Sequence, residues 1–180
     1  MSTQTYLIDT NVIIGLEDHK TVQPAFAALL SVAARNKVDI MVHEAARDDL
    51  QRDQDAKRKA ISLSKLEKFQ VLKKVRGLTQ AELEQKFGAL KKPNDVVDAT
   101  LLDALDRSAA DFLVTEDRGL HERARRVSPE LGRRVLFVAD AVQLLKTTYE
   151  PVEAPLRYVE EVAANEIQLT ELHPVRLTPA

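Results

Sequence analysis

The sequence predicts an α/β protein with three layers, α/β/α, around a central parallel sheet of four to five strands. Two observations carry this. Short apolar runs, such as Tyr6-Leu7-Ile8 and Phe112-Leu113-Val114, read as buried strands. Between them lie segments whose apolar residues recur at helical spacing, and strands alternating with helices call for a parallel sheet covered on both faces. The chain has 180 residues, 44% of them hydrophobic, which suits one domain with a sizeable core.

In chain order, residues 4–8 form the first strand and 11–17 a short helix. Pro24 opens a longer helix at a position where a missing N–H costs nothing. Phe26, Leu29, Leu30 and Ala33 supply its apolar stripe. Lys37–Val42 reads as the second strand, followed by a helix from about His43 into 51–59. From Arg52 to Arg76 nine basic residues face three acidic ones. Ile61, Leu66, Phe69, Leu72 and Val75 would form the buried stripe of an amphipathic arm or hairpin. Thr79-Gln80-Ala81-Glu82 marks a helix start and Gly88 its end. Asn94 is expected to cap a helix over 95–105. Phe112–Thr115 is the third strand and Arg118–Val127 a basic helix. Val135–Val138 is the fourth strand and Ala139–Tyr149 the final helix. Beyond Pro151, residues 158–165 read as helix or strand and 166–172 as strand or extended chain.

Composition excludes several classes of function. There is no Cys, hence no disulfide, thiolate metal site or Cys nucleophile; this suits a reducing cytoplasm. Aromatic residues make up 4%, with no Trp, so stacking platforms for single-stranded nucleic acid are scarce. No run is long enough to span a membrane, and the N-terminus enters the first strand without a signal peptide. His19, His43, His121 and His173 have no ligand spacing and read as surface or capping residues.

The chemistry resides in carboxylates. Asp9 ends the first strand, at the edge where open parallel sheets leave a crevice. In the helix after strand two, Ala45, Ala46 and Leu50 define the inward arc, which includes Asp49; Glu44 and Asp48 fall toward solvent. On the next acidic helix Asp98 borders the core face formed by Val97, Leu101, Ala104 and Leu105. Asp103 is placed on the far side, and Asp95 sits in the first turn, where the helix dipole favours an anion. Asp117 follows the third strand and could cap the next helix. Asp9, Asp49, Asp95 and Asp117 each have an ordinary structural explanation, a cap, an ion pair or the helix dipole; Asp98 has none of these. Together these acids repel one another unless a divalent cation neutralises them, and hard oxygen ligands select Mg²⁺ or Mn²⁺. Such a site suits phosphoryl transfer and needs no Cys, His or Ser.

Ile8-Asp9-Thr10-Asn11-Val12, the Asp98-Ala99 helix with Leu101-Leu102, and Leu113-Val114-Thr115-Glu116-Asp117-Arg118 resemble the motifs of PIN-domain ribonucleases. That family includes the VapC-like toxins of bacterial toxin–antitoxin pairs. The resemblance covers residue 4 to about 148. It implies a parallel sheet between helices, an acidic Mg²⁺/Mn²⁺ pocket, and endonucleolytic cleavage of single-stranded or structured RNA to 5′-phosphate and 3′-hydroxyl ends. Matched by position, the catalytic acids are Asp9, Asp49, Asp98 and Asp117, with Asp9, Asp98 and Asp117 as metal ligands. Asn11 and Thr115 match the supporting polar residues, and Asp95 is placed with them. The second family acid is usually Glu; Asp49 is one methylene shorter. The segment 52–93 is longer and more basic than in the compact toxins, which suggests a larger subgroup. The expected organisation is a PIN-like nuclease domain over 1–150, with 52–93 as a basic helical insertion. Residues 151–180 would be a C-terminal extension, a linker to a further domain. An antitoxin-like protein partner and a homodimer are compatible with the family.

The basic segments suit RNA. Lys57 and Arg58 lie on the arm, and Arg118, Arg123 and Arg126 belong to a cluster of six arginines against two glutamates over 118–134. Such surfaces grip phosphate backbones without reading sequence, although a charge run can also be simply a solvated helix face. Three rival readings remain. One is a PIN-like RNA-binding or scaffold module without catalysis. A phosphatase using Asp9 as nucleophile is disfavoured by Asn11, where a second Asp would stand. A dinucleotide-binding domain is disfavoured by the lack of GxGxxG after the first strand.

Overall fold

The computed structural model describes residues 4–14, 24–72 and 77–150. Five parallel strands, β1 (Thr5–Ile8), β2 (Asp39–His43), β3 (Gln70–Leu72), β4 (Phe112–Val114) and β5 (Val135–Leu136), lie in the order β3-β2-β1-β4-β5. Leu7 is opposite Met41 on one side and Leu113 on the other, so β1 is the central strand. Parallel strands need crossovers, and helices supply them: α1 (Thr10–Ile14), α2 (Pro24–Arg35), α3 (Glu44–Gln51), α4 (Ala56–Leu66), α5 (Gln80–Phe87), α6 (Pro93–Asp106), α7 (Arg118–Val127), α8 (Pro129–Arg133) and α9 (Val138–Tyr149).

The apolar residues divide into two cores, one on each face of the sheet. One gathers Tyr6, Ile8, Phe26, Leu29, Val42 and Leu145, with α2 packed on α9. The other gathers Leu7, Leu101, Leu102, Leu105, Leu113 and Leu120. Successive residues Tyr6, Leu7 and Ile8 thus point to opposite cores, as the two-residue period of a strand requires. This is the expected three-layer arrangement. No helix among the described residues is long and apolar enough to cross a membrane.

Several local expectations change. Within the segment expected as an arm or hairpin over 52–76, Asp55 caps α4 and Gln70–Leu72 joins the sheet as the edge strand beside β2; residues 73–76 lie outside the described residues. Ile61 is 42% exposed, so it does not belong to a buried stripe, whereas Leu66 is buried. Val75 lies outside the described residues. α5 packs on α6, and a capping box at Thr79 and Glu82 and the positive φ of 87° at Gly88 bound it as expected. Asn94 is not a cap: Pro93 is the first residue of α6, and Asp95 reaches back to the Lys91 and Lys92 N–H groups at 2.8 and 2.9 Å. Asp103 is not on a solvent face either. It is buried under α5, paired with Lys86 at 3.0 Å and Arg107 at 2.9 Å. Val138 starts α9 rather than ending a strand. His19, the end of the first short helix and the readings beyond 150 lie outside the described residues.

Candidate functional site

Strand order places the site before any side chain is considered. From β1 the chain steps outward to β2 and β3, then crosses back to the other side of β1 for β4 and β5. The direction of winding reverses between β1 and β4. Crossover helices on either side of such a reversal leave a crevice at the carboxyl ends of the two strands. Asp9 follows β1 there, and Thr115 to Asp117 follow β4.

Backbone hydrogen bonds hold the two strand ends in register. Asp9 N–H donates to Val114 O at 3.0 Å, and Thr115 N–H to Leu136 O at 3.0 Å. Thr115 is wholly buried, and its hydroxyl is a three-way junction. It donates to Asp9 Oδ2 at 2.7 Å and accepts from Asn11 Nδ2 at 3.0 Å and from Asp117 N–H at 3.0 Å. Asn11 returns through its Oδ1, which accepts from Glu116 N–H at 3.4 Å. Asn11, Thr115 and the loop after β4 thus form one polar network around Asp9. Beneath it His121 is 3% exposed, stacked on Phe137 at 3.9 Å, with Nε2 3.1 Å from Thr115 O. His121 is therefore an internal residue and not the surface or capping residue expected. His43 is also buried, and its Nδ1 does cap α3 by accepting from Ala45 N–H at 3.1 Å.

Asp9 is 4% exposed. Burial pushes its carboxyl up, against the opposing hydrogen bonds from Thr115 and Thr10. Thr10 Oγ1 lies 3.2 Å from Asp9 Oδ1 and 3.4 Å from Asp49 Oδ2, so one hydroxyl proton is shared between two acids. Asp49 is half-buried, and its other oxygen takes Arg52 at 2.5 Å. It is thus both the inward acid of α3 and an ion-pair partner. Asp48 is exposed, as expected.

Asp98, half-buried on α6, is pushed up to about 7 by burial and by the charges of Asp9 and Asp117; Arg123 opposes the rise and Asp95 adds to it. Asp117 is exposed and caps α7, its Oδ1 accepting from Gly119 N–H at 2.7 Å. Asp95 is held low by the Lys92 and Lys91 N–H groups and by Arg123, whose Nη2 lies 3.4 Å from its Oδ1. Its place in the capping box accounts for it structurally. No salt bridge among the described residues reaches Asp9, Asp98 or Asp117. The acids at this crevice offer only hard oxygen donors, which suit a divalent cation such as Mg²⁺. As arranged, no three His, Asp or Glu side chains among the described residues stand close enough to hold one ion together.

The basic residues separate into two kinds. Lys57, Arg58, Arg118 and Arg126 are exposed. Arg58 lines a cleft of about 590 Å³ that also includes Asp49, Arg52 and Asn94, and its guanidinium holds the Asp53 carboxyl down at about 2. Arg134, counted in the basic cluster, is committed to structure: it donates to Asp111 O at 2.9 Å and Ala110 O at 2.6 Å, tying the start of β5 to the entry of β4. Arg123 is drawn inward, its side chain 15% exposed.

No family model matches the chain, and no curated protein matches it. Among solved structures, PAE2754 from Pyrobaculum aerophilum is similar over 80% of this chain and 90% of that one, with 16% identity and a TM-score of 0.45, too low to bear on function.

Proposed function

We propose that the chain is a PIN-like, Mg²⁺- or Mn²⁺-dependent endoribonuclease that hydrolyses RNA phosphodiester bonds in the crevice between β1 and β4. One observation carries the reading. Burial, and after it the charges of Asp9 and Asp117, lifts Asp98 to about 7, and no salt bridge among the described residues reaches any of the three. For Asp9, which is buried, and Asp98, which is half-buried, a carboxylate without an ion-pair partner is costly. A cation-binding role gives that cost a purpose, because a divalent ion would reverse it.

In this reading Asp9, Asp98 and Asp117 would have to draw together to hold the cation, because as arranged no three acids stand close enough; Asp49 is linked to Asp9 through Thr10. The bound ion would lower the pKa of a water and steady charge on the phosphoryl oxygens. The chain's own residues do the remainder. Thr115 and Asn11 fix the rotamer of Asp9. Thr115 also orients the loop that carries Asp117. The exposed Arg118 and Arg126 on α7 and Lys57 on α4 would offer phosphate contacts, and Arg58 would do so on leaving Asp53, to which its guanidinium is paired. An oxyanion held between fixed charges reacts faster than one that must first order its surroundings.

The test is cleavage of labelled RNAs and single-stranded DNA by purified protein with Mn²⁺, with Mg²⁺ and with EDTA. Metal-dependent cutting that leaves 5′-phosphate ends is expected. No cutting under any condition, with salt-sensitive RNA binding retained, would instead support the binding-module reading.

A further inference from the structure

A second cleft, of about 500 Å³, lies between α3 and the start of α6. It shares Arg52 with the cleft that Asp49 lines, so the two adjoin at that guanidinium. Its volume is that of a small-molecule site, typically roughly 300–1,000 Å³. The floor is apolar, with Leu90 and Val97 buried, and half-buried Ala45 and Val96 form the walls. The rim is charged, with exposed Arg52, Lys91 and Lys92 against exposed Asp48. Ala45, Asp48 and Arg52 are three and four residues apart and so share one face of α3 and its cap. No salt bridge among the described residues reaches Lys91, Lys92 or Asp48, and Arg52 Nη2 is fixed by Asp49 at 2.5 Å. The backbone N–H groups of Lys91 and Lys92 are taken by Asp95. What they leave for a ligand is their two ammonium groups, and not the helix N-terminus.

An apolar slot with three cations and one carboxylate at its rim suits a ligand with a flat apolar body, an anionic group and N–H donors. A nucleotide has all three. A carboxylate is an acceptor only, and its two oxygens can take two parallel N–H groups. Of the four RNA bases, guanine alone presents two adjacent donors on its Watson–Crick edge, N1–H and the N2 amino group. Adenine and cytosine place an acceptor beside their amino group, and uracil flanks its one N–H with carbonyls; those acceptors would repel a carboxylate. We propose that this cleft is a guanine-selective nucleotide subsite. The base lies between Ala45 and Val96, Asp48 accepts from its Watson–Crick edge, and Lys91 and Lys92 hold the phosphate. This rests on the functional reading above for the polymer, RNA, and deepens it by naming a base held beside the crevice. Binding of one nucleotide there needs no metal ion.

The experiment is an NMR titration of the ¹⁵N-labelled full chain with GMP, AMP, CMP and UMP, in EDTA at low salt. Saturable shifts are expected in the amides of residues 45–52 and 90–97. GMP should bind about tenfold more tightly than the other three, the low end of what a two-point contact to a base edge discriminates. Asp48→Asn changes an exposed side chain, so the fold should hold; it should erase the preference for GMP and keep binding that guanosine without phosphate does not show. Lys91→Met combined with Lys92→Met should weaken all four nucleotides alike. Shifts that do not saturate, shifts confined to other surfaces, or equal affinity for the four nucleotides would overturn the proposal and leave the cleavage reading standing. GMP binding in a protein that cuts no RNA with any metal would uphold the subsite and overturn the cleavage reading instead.

Discussion

Replacing Asp98 by Asn should stabilise the protein at pH 8 while abolishing the proposed RNA cleavage. Burial and the charges of Asp9 and Asp117 push the carboxyl up to about 7 in the fold from its ordinary value of 3.8. The native state therefore holds its proton more tightly than the unfolded chain does. For an acid shifted in this direction, stability is greatest below the unfolded pKa and falls as pH rises toward 7, with no further loss above it. About three units at 1.36 kcal/mol each is on the order of 4 kcal/mol. Asparagine has nearly the same shape and no charge. It should recover roughly half or more of that, about 2–4 kcal/mol at pH 8. For a chain of this size each kcal/mol moves Tm by roughly 2–4 °C, so the variant should melt on the order of 10 °C higher. Near pH 4, where Asp98 is protonated in the wild type, the difference should close. Thermal denaturation of both proteins from pH 4 to pH 8 without metal measures this. A variant no more stable than wild type at pH 8, or an advantage independent of pH, would refute the claim that Asp98 is held against its charge.

Thr115→Val keeps the shape of a wholly buried side chain and removes the junction between Asp9, Asn11 and the Asp117 N–H. Two donors and a carboxylate lose a partner, so a destabilisation of roughly 3–5 kcal/mol is expected by denaturant titration, and Thr115→Ser should recover most of it. Arg134→Met should cost about 1–3 kcal/mol for its two carbonyl contacts and leave RNA affinity unchanged. Arg126→Met should do the reverse, lowering RNA affinity and flattening its salt dependence without moving Tm; filter binding across a salt series separates the two.

The parts of this fold legible in the sequence are those where local pattern and tertiary role agree. Tyr6-Leu7-Ile8 is buried from both faces, so its apolar run was sufficient, and Asp9 at its end is placed where parallel sheets expose chemistry. Thr79 and Glu82 carry a capping box whose logic is entirely local. The differences arise where a distant element supplies the environment. Gln70-Val71-Leu72 is only three residues long, flanked by lysines, with Val71 45% exposed; its pairing with β2, and not its own pattern, makes it a strand. Asp103 sits on the face of α6 opposite its leucines, which the helical wheel assigns to water. α5 covers that face and brings Lys86, whose amine burial would lower but Asp106 and Asp103 raise. His121 shows no signal in isolation: its burial depends on Phe137 arriving from beyond α8. Likewise the charge run over 118–134 conceals two roles, since only packing distinguishes Arg134, bound to carbonyls, and Arg123, turned inward, from the exposed arginines between them. At the site, Asp9, Thr115 and Asn11 meet as their motif positions suggested, while the sharing of one Thr10 proton between Asp9 and Asp49 depends on side-chain distances no pattern encodes.

The central claim is that Asp9 belongs to a metal-dependent cleavage centre, and the most direct measurement is RNA cleavage in Mn²⁺ by wild type and Asp9→Asn side by side. Losing even an outer-shell partner of a metal typically costs 10–100-fold, so losing the carboxylate itself should reduce the rate by more than about a hundredfold. The folded state should be preserved, because the change also removes a buried charge. Wild-type cleavage rates in a folded Asp9→Asn protein would contradict the account.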